Sequence, residues 1–222
     1  MKIYSGILVG EIHDHRVLKM TTKYLLISRF PLKNEIDPSS IEGLNSGLNK
    51  QYFLCEEDTV HELLELRSFN DIKELSWIES ELEAAFHSLA RYLSGDIRRE
   101  LLKYVEAPIE SNKPLPETKY IQLRHVEVPA DNYAQYRQWR DETIFNVVRN
   151  NKDKITSFEA FHSLISGQPG VMFISTFDGD KDVYKEAFTN ERYQEIIQQA
   201  GDNYITGGNE GLYTRIYRKF SC

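Results

Sequence analysis

The sequence predicts an α+β fold made of two tandem β-α-β-β-α-β units, and two observations in its 222 residues predict it. The first is a repeated opening: KYLLISRFPLKNEI begins at Lys23, and KYIQLRHVEVPADN begins at Lys119. Each starts Lys-Tyr, runs extended for about eight residues and turns polar near a proline or lysine. The second is the order of segments after each opening: a helix-compatible stretch, two extended stretches, a second helix and a final strand. The offset of 96 residues, Lys23 to Lys119, suits one small ferredoxin-like unit. The expected divisions are residues 1–107 for the first repeat with an N-terminal strand, 108–118 for a linker and 119–222 for the second repeat.

In the first repeat, MKIYSGILVGEIHDH reads as a strand, with a short apolar run broken by Glu11 and no signal-peptide cleavage pattern. After the opening strand, IDPSSIEGLNSGLNK is a weak helix, because each of its two glycines costs ~1 kcal/mol against alanine. YFLCEE and HELLELRSF supply the middle strands. Leu82, Ala85, Phe86, Leu89, Ala90 and Leu93 then form one apolar face over three turns, the clearest helical signal in the chain. RRELLKYVEAP closes the unit as a strand, and PIESNKPLPET, with three prolines, reads as the linker.

In the second repeat, residues 119–128 read as a strand. Pro129 and Asp131 open a helix carrying Tyr133, Tyr136, Arg140, Ile144 and Val147, with Asp131 as N-cap. ITSFEAFHSLI and GVMFISTF are strands separated by the turn-rich Ser166–Gly170. Tyr193, Ile196, Ile197 and Ala200 recur at helical spacing, and LYTRIYRKF is the last strand. A sheet with helices on one face needs cover on the other. Two repeats can lay those faces together as an internal barrel, with any concave site between the sheets.

Composition narrows the function. Twenty-seven basic residues against 34 acidic ones give a net charge of −7, which argues against nucleic acid and anionic membrane surfaces as partners. No apolar run approaches the ~18 residues of a membrane span, and the expected compartment is the cytoplasm. Cys55 and Cys222 form neither a disulfide framework nor a metal cluster, and Cys222 does not fit a prenylation box. His13-Asp14-His15 reads as a hairpin turn rather than a metal site, so no metal is expected. Gly207, Gly208 and Gly211 lack the strand–loop–helix context of a phosphate loop, and no nucleophile elbow or Walker motif occurs.

Polar residues inside strands carry the functional expectations. Gln122 and Arg124 share one face of their strand and His125 takes the other. Lining the space between sheets, Arg124 would orient an anionic or enolate-like substrate; the structural alternative is an ion pair to Glu159 or Glu127. His162 is the best general-base candidate, since histidine ordinarily titrates near ~6.5. A purely structural histidine is its alternative. Gln122, His125 and Trp139 complete the expected substrate contacts.

Strand order and local wording resemble the dimeric α+β barrel superfamily, which includes antibiotic-biosynthesis monooxygenases, EthD-like proteins and NIPSNAP proteins. YIQLRHVEVPADNYAQY is similar to a NIPSNAP-type opening, and ELLELRSFNDIKELSWIESELEAAFHSL to the third strand and second helix of the monooxygenase group. The resemblance implies a small-molecule pocket, a possible homodimer and, for an enzyme, cofactor-independent oxidation of an aromatic or enolisable substrate. A base removes a proton and the substrate carbanion reacts with oxygen. Haem-degrading members carry a Trp ten residues before a haem-ligating His, a spacing shared by Trp77 and His87. This makes haem the alternative cofactor, although Ser28 stands where those enzymes place an Asn on the first strand. A non-enzymatic binding module is the third reading.

Overall fold

The computed structural model describes residues 22–34, 44, 49–167, 169–206 and 212–220. His13, Asp14 and His15, most of the helix expected over 36–50, the Gly207–Gly208 loop with Gly211, and Cys222 lie outside the described residues. The strands are β1 (Tyr24–Pro31), β2 (Lys50–Cys55), β3 (Glu62–Phe69), β4 (Arg98–Ile109), β5 (Tyr120–Val126), β6 (Ser157–Ile165), β7 (Val171–Phe177) and β8 (Leu212–Lys219). The helices are α1 (Glu79–Leu89), α2 (Tyr133–Glu142), α3 (Ile144–Asn150), α4 (Lys181–Glu186) and α5 (Glu191–Asn203).

The strands close into a barrel in the order β1-β3-β2-β8-β5-β7-β6-β4. Each half therefore runs fourth-first-third-second, and every pairing is antiparallel. The registers agree as well: Tyr24 pairs with Phe69 in one half, and Tyr120 pairs with Phe177 in the other. The β2–β8 and β4–β6 seams join the halves, so closure leaves no exposed edge. The sheets expected to face each other are one continuous wall.

Alternation along each strand separates two cores. Leu25, Ile27, Leu64, Leu66, Leu123 and Ile174 point inward and fill the barrel. Tyr120, Phe158, Phe173 and Phe177 point outward beneath Tyr136, Tyr184, Tyr193 and Ile196 of α2, α4 and α5. In the first half, Phe30, Tyr52 and Leu63 pack outward with Leu89 and Leu93. With both faces covered, β3 is buried at all eight positions, so its charged residues must find partners.

Several local expectations are corrected. Asp131 is not an N-cap: residues 130–132 form a turn and α2 begins after Asn132, whose side chain does not cap it. The single helix expected through Val147 breaks at Thr143 (φ −115°, ψ −83°), whose hydroxyl bonds the Trp139 carbonyl. The apolar face expected over 82–93 is shorter too. α1 ends at Leu89, its only buried residue, and Phe86 is 45% exposed. Lys50, expected at the end of a helix, starts β2. α4 is not legible in the sequence as a separate helix; Asp180 caps it by accepting from the Asp182 and Val183 N–H groups.

The proline-rich segment between the halves is docked against the barrel. β4 extends through Ile109, Leu115 is buried in the inner core, and Thr22 donates to the Pro114 carbonyl. Among the described residues no helix is long and apolar enough to cross a membrane.

Candidate functional site

Among the described residues, several cavities interrupt this packing, and three of them are large enough for a small molecule. The first lies at one end of the barrel. β1, β2, β5 and β6 run in one direction and the other four strands run oppositely, because each neighbour is antiparallel. The ends of β1 and β5 and the starts of β3, β4 and β8 therefore meet at one mouth. A cavity of about 480 Å³ there is lined by Arg29, Glu62, Arg98, Arg99, Glu100, Ser166, Gly167, Tyr213 and Arg215. Arg29 is ion-paired with Glu100, which also accepts from Ser166 Oγ at 3.2 Å. Arg215 Nη1 lies 3.2 Å from both Glu62 oxygens, and Tyr217 donates to Glu62 Oε1 at 2.6 Å. The Tyr213 ring lies 5.6 Å from the Arg29 guanidinium and 4.7 Å from that of Arg215. Burial works against the Arg29 charge, but Glu100 and Tyr217 hold its pKa above the ordinary value. Burial, then Glu62, pushes the Tyr217 hydroxyl well up.

The second cavity is a groove of about 790 Å³ on the outside of the β4–β6 seam, beside the start of α2. Its lining includes Lys103, Tyr104, Glu127, Tyr133, Arg137 and His162. His162 meets Tyr133 edge-to-face at 5.1 Å, and its Nδ1 lies 3.1 Å from the Ser163 carbonyl. The Tyr133 hydroxyl is buried without a partner among the described residues. Arg137 is held by two hydrogen bonds to Glu106, at 3.1 and 2.7 Å. Gly170 makes the floor possible: at φ +139° its Cβ, if present, would meet the Val126 carbonyl oxygen at 2.3 Å.

The third is an open groove of about 730 Å³ along α1, lined by Leu75, Ser76, Glu79, Leu82, Glu83, Phe86, His87 and Arg99. Phe86 and His87 meet edge-to-face at 5.6 Å. Arg99 donates to the Leu82 carbonyl at 3.4 Å, while its Nε is buried without a partner among the described residues.

The expected site residues are dispersed over these places. Gln122 and Arg124 share a face as expected, but that face is the outer one, beneath the helices. Gln122 accepts from the Tyr184 hydroxyl at 3.0 Å. Arg124 donates to Tyr193 and Thr214 and lies over the Phe188 and Tyr193 rings; the ion pairs to Glu159 or Glu127 do not form. His125 points into the barrel and bonds the Pro169 carbonyl at 3.2 Å. Trp139 joins α2 to α5 through Tyr204 and Gln199. His162 stands two strands from Arg124, about 10 Å across the sheet. The sequence suggests the two as base and anion holder of one site, and the barrel separates them. His87 lines the α1 groove, whereas Trp77 is 74% exposed and does not. Ser28 is fully buried on the outer face of β1, its hydroxyl without a partner among the described residues.

The mouth is not among the sites that the sequence suggests. Its signal is present as charges at alternate positions in apolar strands: Arg29 in LLISRF, Glu100 in RRELL and Arg215 in YTRIY. Among the described residues no cluster of three or more His, Cys, Asp or Glu could hold a metal ion.

No protein-family model matches the sequence, and no curated protein matches it. Solved structures do match the fold. A protein assigned as a monooxygenase from Fusobacterium nucleatum is 12% identical, with a TM-score of 0.63 over 91% of this chain and 94% of its own. An anthrone oxidase-like protein is 9% identical, with a TM-score of 0.58 over 90% and 92%. A haem-degrading enzyme from Listeria monocytogenes is 8% identical, with a TM-score of 0.52 over 88% and 99%. The chain thus has the α+β barrel fold of these proteins, and at such identities the likeness speaks for the fold alone.

Proposed function

We propose that this chain is a small-molecule-binding α+β barrel protein that oxidises an aromatic or enolisable substrate with molecular oxygen in the groove beside α2. The observation that carries the reading is His162 on a 790 Å³ groove, against Tyr133, whose buried hydroxyl lacks a partner among the described residues. A groove of that size suits a drug-sized ligand, and an unpaired buried hydroxyl is satisfied by a ligand's polar atom. His162 takes a proton from an activated C–H group of the substrate. Lys103, on the same groove, offsets the negative charge that develops. The carbanion then adds oxygen; loss of water leaves a carbonyl, with one oxygen atom in the product and the other in the water. Arg124 keeps a supporting part, fixing α5 through Tyr193.

The similarity to an anthrone oxidase-like protein and to a protein assigned as a monooxygenase supports this reaction class. Titrating the protein with anthrone while following the histidine ring signals by NMR tests the groove. The reading expects the His162 signals to move saturably and Tyr133→Phe to weaken binding. Saturable binding that leaves His162 untouched overturns the placement.

A second reading rests on the α1 groove. His87 offers an imidazole, Leu75, Leu82 and Phe86 an apolar bed, and Arg99 a cation for a propionate, a donor set that suits haem. Bound there, haem would supply an iron centre, held by His87 and oriented by Arg99. Haem degradation is not included, because Ser28 replaces the first-strand Asn and Trp77 stands outside the groove. A Soret band on adding haemin, lost in His87→Ala, is the expected result.

A further inference from the structure

We infer that the mouth of the barrel is a binding site for a compact organic anion, a carboxylate or phosphate ester, separate from the groove at His162. Three guanidinium groups, Arg29, Arg98 and Arg215, face this 480 Å³ cavity against two carboxylates, Glu62 and Glu100, while Arg99 turns its guanidinium outward to the Leu82 carbonyl. The local sum is an excess of one positive charge in a protein whose net charge is −7. Both carboxylates are already engaged, Glu100 with Arg29 and Glu62 with Arg215. The surplus is therefore positive charge that no carboxylate among the described residues of the wall pairs. The Arg98 side chain makes no hydrogen bond or ion pair to any described residue.

The site is built rather than superficial. Arg29 is 6% exposed, and its Nε is buried without a hydrogen-bond partner among the described residues. A buried guanidinium N–H left unpaired is costly, and an oxyanion supplies what it lacks. The planar, always-charged fork of arginine is suited to carboxylate and phosphate oxygens. The cavity volume lies within the range of small-molecule sites and leaves room for more than an inorganic ion. Tyr213, flanked by Arg29 and Arg215, offers a ring face for the ligand's carbon skeleton.

The test is calorimetric titration of the full chain with inorganic phosphate and, separately, succinate, at constant chloride concentration. Saturable binding of one or both is expected; preference for phosphate assigns a phosphoryl ligand, and preference for succinate a carboxylate. Arg98→Gln should weaken binding by at least about tenfold. Its melting temperature without ligand should match that of the wild type, because the Arg98 side chain is exposed and unpaired among the described residues. Arg98→Lys, which keeps the charge and loses the fork, should fall between the two. Arg29 is avoided because its removal strands Glu100. No saturable binding of either anion, or binding indifferent to Arg98→Gln, overturns the proposal.

Discussion

Arg29 and His125 hold equivalent positions in the two halves, and both side chains enter the same end of the barrel. Arg29 lies opposite Leu64 and Arg98, and His125 lies opposite Met172 and Tyr213. One half has placed a buried ion pair there, Arg29 with Glu100, and the other a ring bonded to the Pro169 carbonyl. The backbone is close to two-fold symmetric while the chemistry is not. The positive surplus therefore gathers on the β1–β4 side.

Leu89 tests the packing of α1. It is fully buried, whereas Phe86 on the same helix is 45% exposed. Leu89→Ala should cost roughly 2–5 kcal/mol in urea unfolding, by leaving a cavity. Phe86→Ala should cost less than about 1 kcal/mol. Equal losses in the two variants would contradict this placement of the helix.

Glu106 holds a charge that is otherwise stranded. The Arg140 guanidinium is fully buried among Tyr136, Phe145 and Phe173, at 5.3, 4.8 and 5.3 Å from their rings. Its Nε and Nη1 lack partners among the described residues, and Glu106 supplies the ion pair. Glu106→Gln should therefore destabilise by about 3 kcal/mol. Burial alone would raise the Glu106 pKa, but Arg137 and Arg140 hold it below the ordinary value. Its contribution is full above the usual carboxylate range and is lost as pH falls through that depressed value. The variant should flatten the acid limb of a stability–pH profile, and an unchanged limb would count against the pair.

The fold is legible in the sequence because strand order is written in repeated local patterns. The Lys-Tyr openings place Tyr24 and Tyr120 at matching registers, as the 96-residue offset requires. The faces are harder to assign. In a closed barrel both faces of a strand are buried, so alternation does not tell inside from outside. Gln122 and Arg124 share a face as expected, yet that face meets Tyr184 and Tyr193 rather than the barrel interior. The mouth is illegible for a related reason. Arg29, Glu100 and Arg215 come from three strands, and only closure brings them together. His162 can be read as a base from its residue type, but its groove depends on the bulged seam between β4 and β6.

Glu159 should make stability fall with rising pH. It faces inward opposite Ile174, and burial pushes its pKa up to about 7, opposed by a hydrogen bond from the Ser111 N–H. The folded state then holds a proton that the unfolded chain releases near ~4.3. Between those values stability declines as pH rises, and the full penalty is present above about 7. Glu159→Gln should remove that slope and stabilise by roughly 1–3 kcal/mol at pH 8, measured by denaturant unfolding at several pH values. A variant that is less stable than the wild type at pH 8 would show that the carboxylate is paired.

Oxygen consumption tests the central claim most directly. Wild-type protein and His162→Gln are compared in an oxygen electrode with anthrone and a panel of polycyclic phenols, with no cofactor or metal added. The account predicts uptake that saturates with at least one substrate, yields one carbonyl per oxygen consumed and falls by roughly 100-fold or more in His162→Gln. Turnover that survives intact in His162→Gln, or no turnover by wild-type protein across the panel, would contradict it.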